Sequence, residues 1–410
     1  MANSVNILLG VGLLSVPYAL QQGGWAGLGV LATLGAMTNY TGKALIRCQT
    51  SGSLPPLAAE LEATTAVSEA PLGGERRPLL SYEDIGEAAF GAGGRAFITF
   101  VLYTELIGTC ALFFILEGDH LAILLHDAHS SRWFMTASAA VMIPTLWLAD
   151  LSSLSYVGAV GALASVSLMG VVAYQLVAVG IFSGHIPPGI ETTAALHLST
   201  LPVSFGLLAF VFAGHAVFPA IYSSMDTPED YEGMLDRTYG IVGVTCLIIG
   251  CAGYALWGED VADEVTLNLP GGAASTLALA LITINPLSKF ALTMDPVARG
   301  LESALGVDIS AKQGNGPLTA RAMRTGLGLG ALTVAATVPF FAVVMSLIGS
   351  FLTLTVSVIF PAACYLKMFE GEIGDGEKAL NWAIMLLGGF GVVAGSYSAL
   401  GEISATLGSA

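Results

Sequence analysis

Charge is what this sequence has least of. Asp, Glu, Lys and Arg make up 11% of its 410 residues, against roughly 25% in ordinary soluble domains. A water-soluble globule of that length needs more charge to cover its surface. Basic residues are scarcest: 14 Lys and Arg face 30 Asp and Glu, a net charge of −16. A soluble enzyme, a nucleic-acid binder and a disordered chain are all disfavoured, so no nucleic-acid partner is expected. There are only five cysteines. Cys110, Cys246, Cys251 and Cys364 lie inside apolar runs and Cys48 sits just after one. No disulfide framework, CxxC or metal spacing follows, and no cofactor or metal is expected. A secretory signal is missing too, because the first apolar stretch lacks a basic lead and a cleavage site.

What is abundant is apolar sequence, at 54%, and glycine, at 50 residues. About 20 apolar residues cross a bilayer as a helix. Eleven such stretches occur, near 3–22, 26–46, 96–117, 133–149, 154–182, 201–222, 238–257, 275–299, 323–343, 345–366 and 380–400. The expected fold class is all-α: a polytopic membrane protein of about 11 transmembrane helices in one transporter domain, with the lipid bilayer as its solvent. Around Val343 to Gly349 the pattern fits either a tight turn or a continuous helix.

Lys and Arg set the orientation. Twelve of the 14 lie in or beside the loops after even-numbered spans. Only Arg132 lies on the other side, and Lys289 lies within a span. The basic side is therefore expected to be cytoplasmic, with the start of the chain there and its end opposite. Residues 48–80 are rich in Ala, Pro, Glu, Ser and Gly without a periodic apolar face, and read as a disordered cytoplasmic loop. Residues 81–90 carry the Ser81-x-x-Asp84 spacing of a capping box and predict a short interfacial helix. Asp119, His120, His126, Asp127 and His129 read as a wet, titrating far-side loop.

An apolar bundle does nothing by itself. Function shows in features that are costly in lipid, namely broken helices and buried ionisable groups. Span 1 carries Gly10-Val11-Gly12 followed by Pro17, and span 6 carries Ala213-Gly214-His215 followed by Pro219. Glycine permits unusual backbone angles and proline removes a donor. Either pattern alone fits close helix packing. The two in matching positions, an odd number of spans apart, point to a binding site in an inverted repeat of spans 1–5 on spans 6–10. Unwound backbone there leaves N–H groups for a carboxylate and C=O groups for an ammonium, which suits a zwitterionic amino acid.

The stretch 6–19, NILLGVGLLSVPYA, resembles the first-span signature of the amino acid/auxin permease family, and within it the vacuolar amino acid transporters and the vesicular inhibitory amino acid transporter. Supporting stretches lie at 81–91, 103–121, 205–231 and 284–302. The resemblance implies the five-plus-five inverted-repeat fold of leucine-transporter type, with helices 1 and 6 broken. It implies secondary active transport of amino acids, proton-coupled in organellar members. Family members usually carry a hydrophilic tail and a longer first half-helix. Here Met1 lies almost at the membrane, so a truncated start or a short inner gate is expected.

The candidate substrate-binding residues are Gly10, Val11, Gly12, Leu13, Ser15, Tyr103, Phe212, Ala213, Gly214 and His215. The candidate ion-coupling residues are Glu105, Lys289 and Asn285. Glu105 lies midway along span 3, where a carboxylate is either a proton carrier or a structural hydrogen-bonding group. Lys289 shares a helix face with Asn285 and could stand where sodium-coupled relatives bind a cation between spans 1 and 8, favouring protons over sodium. It could instead snorkel to the surface. Tyr103 fits core packing as well as substrate contact, and His215 fits a cavity wall. Rival readings are an amino acid sensor that binds without net flux, and a channel with a continuous polar pore. No nucleophile–base or metal constellation in the spans supports an enzyme.

Overall fold

The computed structural model describes residues 2–54, 77–148, 154–179, 186–307, 309, 316–338 and 340–408. It is helical almost throughout, and the eleven crossings follow the apolar runs. Span 1 is Ala2–Leu8, a tight turn of helix at Val11–Ser15, and Val16–Gly23. Span 2 is Gly27–Ser51. Span 3 lies within the helix Tyr82–Leu124, span 4 is Ser131–Thr145 and span 5 is Leu154–Val177. Span 6 is Leu201–Val211, then His215–Val217 and Phe218–Ser223. Spans 7, 8 and 9 are Tyr231–Trp257, Ala273–Leu305 and Gly316–Thr337. Span 10 starts at Phe341–Leu347 and runs to Phe360–Met368; span 11 is Asp375–Gly408. Among the described residues, six helices are long and apolar enough to cross a membrane unaided. Of the others, span 1 is interrupted and span 4 is short, whereas spans 2, 5 and 9 are continuous helices.

Local sequence explains several boundaries. Ser81 accepts a hydrogen bond from the Asp84 N–H and Asp84 accepts one from Ser81 N–H, closing the capping box. The interfacial helix and span 3 are continuous but kinked at Gly91, whose φ of 68° favours glycine. Arg95 braces the kink by pairing with Asp84 at 2.8 Å and Glu87 at 2.7 Å.

Three expectations are corrected here. The 48–80 insertion is narrower than its composition implied. Span 2 continues to Ser51, Ser53–Leu54 pairs antiparallel with Arg77–Pro78, and buried Cys48, Gln49, Leu54 and Leu79 anchor both ends. Its middle, 55–76, lies outside the described residues. The junction of spans 9 and 10 falls after Thr337, earlier than 343–345, and Phe341–Leu347 is already helical. Finally, His120 is fully buried and does not belong to the wet turn, where His126 and Asp127 adopt positive φ and His129 stacks on Trp133.

Spans 1, 2, 6 and 7 pack on one another, as do spans 3, 4, 8 and 9. Span 5 lies against span 8, where Gly161 admits the side chain of Asn285. Span 10 widens into π-helical turns at Ile348–Thr353 and Thr355–Ile359. Such turns release carbonyls from the helical ladder. Here the Ser357 carbonyl accepts from the Thr41 hydroxyl at 2.6 Å and the Val356 carbonyl from the Tyr82 hydroxyl at 2.5 Å. A charged cluster closes the basic side of the second helix group. Arg324, expected in a loop margin, is 1% exposed and donates to both oxygens of Glu302, to Asp295 and to the Leu146 carbonyl.

Candidate substrate site

Both expected breaks are present. In span 1 the helix stops at Leu8, Gly10 is extended with φ −88° and ψ −155°, and the chain rewinds at Val11. In span 6 it stops at Val211, and Gly214 with φ −148° and ψ −9° leads into the turn His215–Val217. The two breaks touch. A Cβ on Gly12 would stand 3.0 Å from the Val211 Cα, closer than side chains normally approach backbone.

A cavity of about 420 Å³ lies between the breaks, lined by Gly10, Val11, Gly12, Phe210, Val211, Ala213 and Gly214. Its walls continue through Asn6, Ile7 and Leu8 of span 1, Glu105, Thr109 and Phe113 of span 3, Val217 and Ile221 of span 6, and Lys289, Thr293 and Pro296 of span 8. Small-molecule sites typically fall between ~300 and ~1,000 Å³. The backbone N–H groups of Val11 and Gly12 carry no backbone hydrogen bond among the described residues, and neither does the Val211 carbonyl. Donors and an acceptor are thus left over on the lining itself.

The carbonyl end of the first half-helix of span 1 is already engaged. Lys289 Nζ donates to the Asn6 carbonyl at 2.7 Å, and the Ser165 hydroxyl of span 5 donates to the Leu9 carbonyl at 3.1 Å. The Lys289 amino group therefore stands on the cavity wall against the partly negative end of this half-helix. Across the cavity, the Thr353 hydroxyl in the widened part of span 10 donates to Glu105 Oε1 at 2.6 Å.

Of the expected site residues, Gly10, Val11, Gly12, Ala213, Gly214, Glu105 and Lys289 line the cavity. The others do not. Leu13 and Ser15 are fully buried behind the break, and Ser15 Oγ donates back to the Gly12 carbonyl at 3.1 Å. Tyr103 turns its hydroxyl onto Gly300 of span 8, where the missing Cβ makes room. Phe212 faces the opposite way, stacked on Tyr239 with ring centroids 5.6 Å apart, in a second, apolar recess between spans 2, 6 and 7. Asn285 points at span 5, 3.5 Å from the Gly161 carbonyl. His215 is a tether: its Nε2 hydrogen-bonds with Thr41 Oγ1 at 3.1 Å, and that hydroxyl also meets the Ser357 carbonyl at 2.6 Å. It binds the span-6 break to spans 2 and 10.

Residues missed in the sequence include Asn6, Thr109, Phe113, Val217, Ile221 and Thr293. Those on span 3 were within reach of periodicity. Leu102, Glu105, Leu106, Thr109 and Phe113 follow helical spacing and share one face. Asn6 was not, since its part is played by its backbone carbonyl.

Two broken helices meeting across a cavity, in an all-helical chain of repeated crossings, define a multi-pass membrane transporter of leucine-transporter fold. The fold is shared with a Na+-coupled sialic acid symporter in its substrate-bound outward-open state, at a TM-score of 0.54 and 12% identity over 97% of this chain and 89% of that one. The chain belongs to the transmembrane amino acid transporter family, whose model matches residues 1–55 and 66–400. It is similar to the amino acid transporters AVT1B and AVT1C of Arabidopsis thaliana, 37% and 38% identical over 98% of this chain and 70% and 68% of theirs. AVT1D of the same plant is 34% identical over 98% of this chain and 69% of its own length. The protein is therefore an amino acid transporter, integral to a membrane and not an enzyme.

Proposed function

We propose that this chain is a proton-coupled secondary active transporter that holds an amino acid between the breaks of spans 1 and 6. The observation that carries this reading is the cavity bounded by both breaks, with Glu105 in its wall and the Lys289 ammonium fixed on the Asn6 carbonyl. The free N–H groups at Val11 and Gly12 suit the substrate carboxylate, and the Val211 carbonyl suits its ammonium. The apolar remainder of the lining accommodates an aliphatic or aromatic side chain. Access alternates as spans 1, 2, 6 and 7 rock against spans 3, 4, 8 and 9.

Proton coupling is favoured over sodium because a protein cation already serves the span-1 carbonyls. A sodium ion needs those same oxygens and would have to displace a charge-assisted hydrogen bond. The wall carboxylate Glu105 can exchange a proton without any other cation entering. An acidic vacuole or vesicle fits a proton-driven carrier. The test is reconstitution into proteoliposomes with labelled amino acids under an imposed pH gradient, with and without sodium. Uptake should follow the pH gradient and ignore sodium. Uptake that needs sodium and ignores pH sinks the coupling claim. Saturable binding with no flux in any condition would replace the transporter reading with that of a sensor.

A further inference from the structure

A second group of buried ionisable side chains lies on the far side, opposite the basic face. Loop 258–272 connects spans 7 and 8, and its turn Val265–Asn268 rests on the later part of span 1 and on span 3. Val265 is fully buried there. The loop is braced internally: Asn268 accepts from the Ala262 N–H at 2.8 Å and donates to the Asp260 carbonyl at 3.0 Å. It covers the far-side end of span 1, and none of its residues lines the substrate cavity.

At the contact, His120 of span 3 and Glu264 of the loop are both completely shielded from solvent. His120 Nε2 lies 3.3 Å from Glu264 Oε2 and 3.0 Å from Thr266 Oγ1. Span 3 brings Asp119 near Glu264, and the loop brings Asp263, which also stands near Tyr18 of span 1. Glu117 is 1% exposed, and its Oε1 has no partner among the described residues. Also among the described residues, no Lys or Arg pairs with Glu117, Asp119, Asp263 or Glu264. One histidine thus faces a fully buried carboxyl group, with half-buried Asp119 and Asp263 beside it. Burying them all as anions is expensive unless protons join them.

We propose that His120 and Glu264 form a far-side proton-binding latch, which takes a proton from that compartment and thereby lets loop 258–272 seat over span 1 and seal the entrance. The inference deepens the proton-coupled reading above, since it identifies where a proton first enters. Burial, together with the nearby Asp119 and Asp263, holds the Glu264 carboxyl well above the usual carboxylate range, and burial also raises Asp263. When the loop lifts, both return toward ordinary values. The seated loop is therefore favoured in full below the exposed carboxylate pKa and loses that stabilisation as pH rises through the seated one. Glu117 lies three residues before His120, about one turn inward on span 3, and Glu105 a further 12 residues along, about 18 Å at the helical rise.

Hydrogen exchange of the full-length protein in lipid nanodiscs tests this. After correction for chemical exchange, amides of 258–272 should exchange ~10-fold faster at about pH 8 than at about pH 5. Glu264→Gln should be slow at both. His120→Gln, which removes the imidazole beside Glu264, should shift the midpoint. Asp260→Asn, at an exposed position of the same loop, should behave as wild type. A flat wild-type response overturns the latch and needs no variant to be made. A wild-type response kept in E264Q, an unmoved midpoint in H120Q, or a response lost in D260N each overturns it as well. Flux that follows a pH gradient beside a pH-blind loop removes the latch alone. Flux that ignores the gradient beside a pH-responsive loop removes proton coupling alone.

Discussion

The ammonium of Lys289 lies 2.7 Å from the carbonyl oxygen of Asn6, tying span 8 to the end of the first half-helix of span 1. These residues are 283 positions apart in the chain. The contact joins one element from each of the two helix groups. A bond of this kind with a charged donor contributes about 1.5–3 kcal/mol.

Replacing Lys289 by Met should keep the length of the side chain and remove its charge. Gradient-driven accumulation in proteoliposomes is expected to fall about 10-fold or more. If accumulation in K289M matches wild type, Lys289 is not part of coupling.

Glu105→Gln should retain the hydrogen bond from Thr353, now 2.6 Å to a carboxylate oxygen, while removing the exchangeable proton. Net uptake under a pH gradient should drop about 10-fold, whereas exchange of labelled for unlabelled substrate at equal pH should stay within about 2-fold of wild type. Loss of both activities together would point to a structural role instead.

Gly12→Ala places a methyl group 3.0 Å from the Val211 Cα. Backbone cannot move aside as a flexible side chain would, so the two breaks must part. Substrate affinity measured by isothermal titration should weaken by about 10-fold, or about 1.4 kcal/mol. An unchanged affinity would mean that the touching breaks do not hold the substrate.

His215→Phe removes the ring nitrogen that Thr41 Oγ1 meets at 3.1 Å. The unfolding temperature in detergent should fall, corresponding to a loss of about 1–3 kcal/mol. His215→Gln can still donate and should lose less. If both variants are as stable as wild type but bind substrate poorly, His215 contacts substrate after all.

Much of the fold was legible before any coordinates. Apolar runs report directly on which segments avoid water, and the Gly/Pro interruptions of spans 1 and 6 report on where a helix cannot stay regular; both are local properties. The capping box at Ser81 and Asp84 was readable for the same reason. The candidate site was legible only in part. Gly10, Val11, Gly12, Ala213 and Gly214 line the cavity because the two breaks bound it. Leu13, Ser15, Phe212 and His215 were expected there as sequence neighbours of the breaks, and a turn of helix points neighbours in different directions. Tyr103 and Asn285 were expected from their spacing to Glu105 and Lys289, yet their side chains meet Gly300 and Gly161.

The sequence by itself determined a many-spanning apolar chain with two helices broken at matching positions, because hydrophobicity and backbone preference are carried by the residues that have them. Only the tertiary structure decided that Lys289 grips Asn6, that Phe212 turns away toward Tyr239, and that His120 is sealed against Glu264. Those outcomes depend on how distant helices meet, and that packing is set by all of their surfaces together rather than by any one segment.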